Sequence, residues 1–451
     1  MGANLGQVTQ RMKAALERAS DTRALRIGDG VLKETADVLK ACFGSAEAIV
    51  IADVNTFEVA GRRVLDRLRA AGVTVGELLV FDDPDLHAVF DHVERIEQVL
   101  RPTAAIPIAV GSGTINDLTK LAAHRCERAY MVVATAASMD GYTAFGASIT
   151  RHGSKQTFFC PAPRAVIADL DVIAAAPSDL NAAGYADLAA KVSAGADWLL
   201  ADALGVEAID PEAWSMVQSH LRQWVADPAA IRAGRREALL GLTEGLMMTG
   251  FAMQWCKSSR PASGADHQFS HLWDMQNHRH HDRIPYHGHK VAIGTLAATR
   301  LYEQLLDEPF ETLDIAATAS RWPTLDAMRV QVAQTHPQAD IQAVALQEIA
   351  AKYLGHDRLT AILERLQKAW PTLRPQLREQ VIPATELQGM LADAGAPSTP
   401  EEIGIEPKRL RQSYIAAQHI RRRFTVLDLA VMTNRLTACL DQLFPNLREG
   451  G

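Results

Sequence analysis

Cysteine is scarce in this chain and scattered. Cys42, Cys126, Cys160, Cys256 and Cys439 form no C-x-x-C pair. An odd, dispersed set excludes a cysteine zinc knuckle and argues against a secreted disulfide framework, so a reducing compartment is expected. Long apolar runs are missing too, with nothing approaching the roughly 20 residues of a membrane helix. The opening stretch MGANLGQVTQRMK has no apolar h-region, and Gly6 stands where a myristoylation signal wants Ser or Thr. Neither a signal peptide nor a lipid anchor is therefore expected. Basic charge is not in excess: 46 Lys and Arg face 53 Asp and Glu, a net charge of −7. That balance offers no general field for nucleic acid or anionic lipid. There is no G-K-[ST] P-loop, no G-x-S-x-G elbow and no H-E-x-x-H. What these absences leave is a cytoplasmic protein with no membrane insertion and no nucleic-acid partner.

What is present suits a large folded protein. The 451 residues are 48% hydrophobic, enough for two or three cored domains. Short β-type runs alternate with helical patterns over the first 175 residues or so. They are AIVIADV (48–54), ELLVF (77–81), IPIAV (106–110), AYMVVAT (129–135) and RAVIADL (164–170). Such alternation predicts a mostly parallel sheet covered by helices. From Asn181 onward the periodicity is helical throughout, and DAGAPSTPEEIG (393–404) reads as a turn between helices. The expectation is an α/β domain over residues 1–177 and a helical domain over 178–451.

Gly111-Ser112-Gly113 follows an apolar strand and opens a helix. Glycines there let a backbone approach a pyrophosphate, which the helix N-terminus favours. Asn116 occupies the third glycine position of the dinucleotide fingerprint, so a tight strand-to-helix turn is the competing explanation. Further on, VVATAASMDGYTA runs into a small loop rich in hydroxyls (Thr135, Ser138, Thr143). Asp53, at the end of AIVIAD, suits either a ribose contact or a helix cap.

Histidine is concentrated elsewhere. Seven of the fifteen lie between His267 and His289. His267 and His271 are spaced i, i+4 and share a helix face. The cluster HRHHDR (278–283) follows, and then His287 and His289. Neutral imidazoles suit zinc and other late transition metals, and a site needs only two to four of these residues. Asp187 in GYADLAAK is a candidate carboxylate ligand or a helix acid.

Together these residues carry a resemblance. GSGTINDLTK, TAASMDGY, GYADLAAKVSAGADW, SGADHQFSH and YHGHKVAIGTL occur in the order of the iron-containing alcohol dehydrogenase and dehydroquinate synthase-like superfamily. LADAGAPSTPEEIGIEPKRLRQSYIAAQHIRRRFTVLDL is similar to the bacterial glycerol-1-phosphate dehydrogenase branch. The resemblance spans about residues 20 to 435. It implies a dinucleotide-binding α/β domain, an all-α metal-binding domain and an active site in the cleft between them. It implies one divalent metal on Asp187, His267 and His287, zinc first, with nickel or iron as alternatives. NAD or NADP would lie over Gly111, Ser112, Gly113, Asp117, Thr135 and Ser138, with Asp53 near the adenosine ribose. Asp140 matches the aspartate that contacts substrate hydroxyls, while Lys120 and Lys191 match lysines of the pattern. Three positions depart from it: Ala134 replaces a proline, Asp266 a glutamate and His289 an acid or amide.

The activity implied is reduction of dihydroxyacetone phosphate to sn-glycerol 1-phosphate, in a homodimer or larger homo-oligomer. His271, one turn from His267, is a candidate proton relay. Arg279, His280, Arg283 and Lys290 are candidate phosphate partners. Within the superfamily the alternatives are a glycerol dehydrogenase, another polyol-phosphate dehydrogenase, or a cyclase of the dehydroquinate synthase type. The cyclases usually carry Glu at the position of Asp187. From other classes, His281-Asp282 allows an HD-type metal phosphohydrolase, and a non-catalytic NAD sensor is the third rival.

Overall fold

The computed structural model describes residues 5–151 and 154–447. Apolar runs become strands where both faces are covered. The strands are β1 (Ala24–Gly28), β2 (Ala48–Asp53), β3 (Leu79–Phe81), β4 (Ile106–Gly111), β5 (Met131–Ala134), β6 (Ala147–Arg151), β7 (Ser154–Phe158) and β8 (Ala165–Asp169). Six of them form one sheet in the order β1-β8-β5-β4-β2-β3, and every pairing is parallel. β5 and β8 are buried at every residue, and β2 and β4 at all but one. Continuous apolar runs are what a sheet covered on both faces requires. β6 and β7 make a separate antiparallel hairpin.

Strand order positions a site. The chain moves from β2 outward to β3, then returns to lay β4 on the other side of β2. Diverging connections of this kind open a crevice at the carboxyl ends of the strands, where open parallel sheets bind ligands. Asp53 ends β2 and Gly111 ends β4.

After Ala174 every element is helical. Two compact units interleave along the chain. The first comprises Met1–Leu188, Glu212–Pro261 and Asp393–Gly395; the second comprises Ala189–Pro211, Ala262–Ala392 and Ala396–Gly451.

In the first unit, Arg11 forms a two-pronged ion pair with the buried Glu244, which also accepts from Trp224 Nε1. The second unit is built around two packed helices, Ala265–Met275 and His287–Leu306. Gly294 permits their crossing, because a Cβ there would lie 2.2 Å from the carbonyl oxygen of Asp266. Asp197 caps the first of these helices by accepting from Ala265 N–H at 2.7 Å, and also accepts from Tyr302 Oη–H at 2.6 Å. Elsewhere in this unit, buried His336 and His419 stand with Nε2 and Nδ1 3.3 Å apart. Among the described residues, no helix is long and apolar enough to cross a membrane.

Candidate active site

The glycine turn at the end of β4 has two physical causes. At Gly111 the requirement is internal: a Cβ would lie 2.5 Å from Ile115 Cβ on the helix Gly113–Arg125. At Gly113 a Cβ would press on Met139 Cγ at 3.3 Å. Ser112 is the N-cap of that helix, yet its side chain makes no capping hydrogen bond. Thr135 lies alongside, its N–H donating to Gly111 O at 3.2 Å. Asp53 caps the next strand end, accepting from Thr56 N–H at 2.9 Å in a reciprocal capping box. Asp117 is engaged within the fold: its carboxylate accepts from Ser148 N–H and Asn116 Nδ2–H, both at 3.0 Å.

The segment after β5 is held from two directions. Lys120 is 1% exposed, and its ammonium donates to three carbonyls, those of Gly141, Ala144 and Gly146, at 2.9 to 3.0 Å. The other grip comes from the helix Ser178–Ala189. Asn181 Oδ1 accepts from Ala137 N–H at 3.2 Å, and Asp187 Oδ2 accepts from Asp140 N–H at 3.0 Å. Between them Gly184 allows close approach, since a Cβ would sit 1.8 Å from Ala137 O. Within the loop, Ser138 Oγ lies 3.3 Å from Tyr142 Oη, and Gly141 N–H donates to Met139 Sδ at 2.8 Å.

Asp187, His267 and His287 each offer one ligand atom, and these atoms all lie within 4.8 Å of one another. One carboxylate and two imidazoles make a donor set suited to a borderline divalent cation. Asp187 is fully buried and His267 is 5% exposed. Asp266 fixes the His267 ring by accepting a hydrogen bond from Nδ1, which leaves Nε2 as the candidate ligand atom. Asp266 is in turn held by Ser193 Oγ–H at 2.7 Å and Gly264 N–H at 3.2 Å. Burial acts to raise its pKa, but His267 and these donors hold it below the ordinary carboxylate value. His287 Nδ1 lies 3.5 Å from Ser270 Oγ. The His271 ring stands apart from the triad, 6.1 Å from that of His267 and 6.3 Å from that of His287.

The remaining histidines of the cluster have other surroundings. His278 is buried: its Nε2–H donates to Ile403 O at 2.6 Å, and Nδ1 accepts from Arg409 at 2.7 Å. His280 and Arg283 exchange both backbone hydrogen bonds across a two-residue turn, with His281 and Asp282 at φ of 48° and 61°. Positive φ at both central residues is the hairpin geometry that twists with its flanking chain. Arg279 and Arg283 are exposed, whereas the Lys290 ammonium pairs with Asp274 at 2.7 Å and is buried. His289 packs edge-on to Tyr286 at 5.3 Å.

Residues 26–177 match the iron-containing alcohol dehydrogenase family. A glycerol-1-phosphate dehydrogenase (NAD(P)+) of Halalkalibacterium halodurans is 34% identical, over 60% of this chain and 68% of the relative. The chain belongs to the glycerol-1-phosphate dehydrogenase family. Other glycerol-1-phosphate dehydrogenases match as well. That of Pyrococcus furiosus is 33% identical over 62% of this chain and 78% of its own. That of Geobacillus thermodenitrificans is 29% identical over 84% and 85%. In fold the chain resembles a probable glycerol dehydrogenase from Sinorhizobium meliloti 1021 (TM-score 0.60, 16% identity, 94% and 98% covered).

Several contributors to this candidate site were not visible as such in the sequence. Asn181 and Gly184 precede Asp187 by six and three residues, a helical spacing that puts all three on one face. That period was the available signal. Ser193 and Asp197 lie within GYADLAAKVSAGADW, but only the packing shows that they hold the His267 helix.

Proposed function

We propose that this chain reduces dihydroxyacetone phosphate to sn-glycerol 1-phosphate with NADH or NADPH, using one divalent cation held by Asp187, His267 and His287. The observation that carries this reading is the convergence of their three ligand atoms within 4.8 Å in a member of this family. Zinc suits the donor set best, with nickel and iron as alternatives. When bound, such a cation supplies Lewis acidity towards a ketone oxygen and so stabilises charge that develops there.

The chain's own residues do the rest. Gly111, Ser112 and Gly113 would receive a pyrophosphate at a helix N-terminus whose serine leaves its hydroxyl uncommitted to capping. Thr135 and Ser138 would line the cofactor, and Asp53, which caps its own short helix, would meet the adenosine ribose. Asp117 would lie beside the cofactor, its carboxylate steadied by the Ser148 N–H. Asp140 orients the substrate hydroxyls. A bound NAD(P)H would supply hydride to a ketone carbonyl carbon, and His271 would deliver the proton to its oxygen. The balance is one NAD(P)H and one proton consumed per sn-glycerol 1-phosphate formed. The reading includes a cytoplasmic location and a homodimer or larger homo-oligomer, with no nucleic-acid partner.

The deciding experiment follows NAD(P)H oxidation against dihydroxyacetone phosphate, dihydroxyacetone and other keto-phosphates, with and without EDTA. Turnover on dihydroxyacetone phosphate, lost with chelator and restored by zinc or nickel, is expected. Indifference to chelation, or preference for the unphosphorylated ketone, would overturn the assignment.

A further inference from the structure

The helix Ser178–Ala189 meets the loop after β5 at three stations on one face. Asp187 takes the Asp140 amide, Gly184 lies against the Ala137 carbonyl, and Asn181 takes the Ala137 amide. The last contact is made by a side chain with a fixed orientation. Asn181 is 5% exposed, and its Nδ2–H donates to Ile173 O at 3.1 Å while Oδ1 accepts from Ala137 N–H at 3.2 Å. A carbonyl on one side and an amide N–H on the other demand both a donor and an acceptor, which the Asn181 carboxamide supplies. Ala137 itself sits between Thr135 and Ser138.

Taking the functional reading above as the basis, we propose that Asn181 is a positioning residue for NAD(P)H. It sets the Thr135–Ser138 segment at the height that the cofactor requires. It touches neither cofactor nor metal ligand in this role. Its effect passes through the Ala137 amide, and the neighbouring Asp140–Asp187 hydrogen bond separately ties the same loop to the metal side. Loss of Asn181 therefore frees the cofactor end of the loop and leaves the metal end attached.

The test uses the full chain with two variants. Asn181→Ala removes both hydrogen bonds. Asn181→Asp keeps the volume but turns a carboxylate oxygen towards Ile173 O, so it covers the case in which the alanine variant fails to fold. NAD(P)H affinity is measured by fluorescence titration, metal content by atomic absorption, and KM and kcat by steady-state kinetics. Losing a buried hydrogen-bonded pair predicts about tenfold weaker NAD(P)H binding. KM for NAD(P)H should rise by more than kcat falls, and metal content should match that of the unaltered chain. NAD(P)H affinity within twofold of the unaltered chain in a folded variant would overturn the proposal, as would metal loss in step with cofactor loss. If the unaltered chain bound no NAD(P)H, the functional reading would itself fail. Binding by the unaltered chain and equal binding by the variants would remove Asn181 alone.

Discussion

Asp266 shows how one side chain decides what its neighbour can do. A neutral imidazole has one donor and one acceptor nitrogen, and the carboxylate takes the donor at Nδ1 of His267. Nε2 is then the acceptor and points its lone pair at a ligand position. Removing the carboxylate should lower metal affinity by about ten- to a hundredfold, as outer-shell partners of ligating histidines generally do. Asp266→Asn, which keeps the shape, is therefore expected to lose metal at chelator concentrations that leave the unaltered chain loaded, as read by competition with a coloured chelator. His267→Ala should lose metal and turnover together; full activity in a metal-free His267→Ala protein would sink the triad. The sequence shows the aspartate standing where glutamate is usual, but not that its shorter arm still reaches the ring. That distance depends on Ser193 and Gly264, which hold the carboxylate in place.

At the scale of elements, the crossing of Ala265–Met275 with His287–Leu306 carries two of the three candidate ligands. The helices approach at Gly294, where a methyl group would meet a backbone oxygen at 2.2 Å and no side-chain rotation could relieve it. Gly294→Ala should cost roughly 1–3 kcal/mol by overpacking. Thermal melting should show a lower midpoint, and metal content should drop because the two imidazoles move apart. An unchanged midpoint would mean that the helices can separate without cost. Five strands were legible in the sequence as apolar runs: β2, β4, β5 and β8, which are buried at nearly every residue, and the short edge strand β3 within ELLVF. β1 was not legible, since at the sheet edge it is buried only at Ala24. The β6–β7 hairpin, ASITR and SKQTF, is polar and has no unbroken apolar run to mark it.

For the whole molecule, the buried His336–His419 pair predicts the response to acid. Burial lowers both pKa values, to about 4 for His336 and about 3 for His419, the latter also opposed by His336 and by Lys352. The Lys352 ammonium is itself tied to Asp428 at 2.8 Å. In the unfolded chain both imidazoles titrate near the ordinary value of about 6.5. Below that pH the unfolded chain therefore binds protons that the folded chain refuses. Stability from this pair is full above about pH 6.5 and is lost progressively as the pH falls towards 4. Urea midpoints at pH 7.5 and pH 4.5 should differ less in His336→Asn than in the unaltered chain. An equal difference would assign the acid sensitivity elsewhere. The α/β-then-helical order was legible along the whole chain because periodicity is a local property. The site was legible in part. The cluster of seven histidines announced a metal site, but the neighbours of each ring, not the sequence spacing, separate the triad from the structural His278 and the surface turn at His281.

The three carbonyls around Lys120 have one more consequence. An ammonium that spends all three protons on backbone oxygens has no lone pair to offer, so amine-acylating reagents should pass it by while they mark exposed lysines. Modification at Lys120 then requires the loop that it holds to lift away. The rate of that labelling, read by mass spectrometry with and without NAD(P)H, becomes a clock for opening of the loop in the intact enzyme.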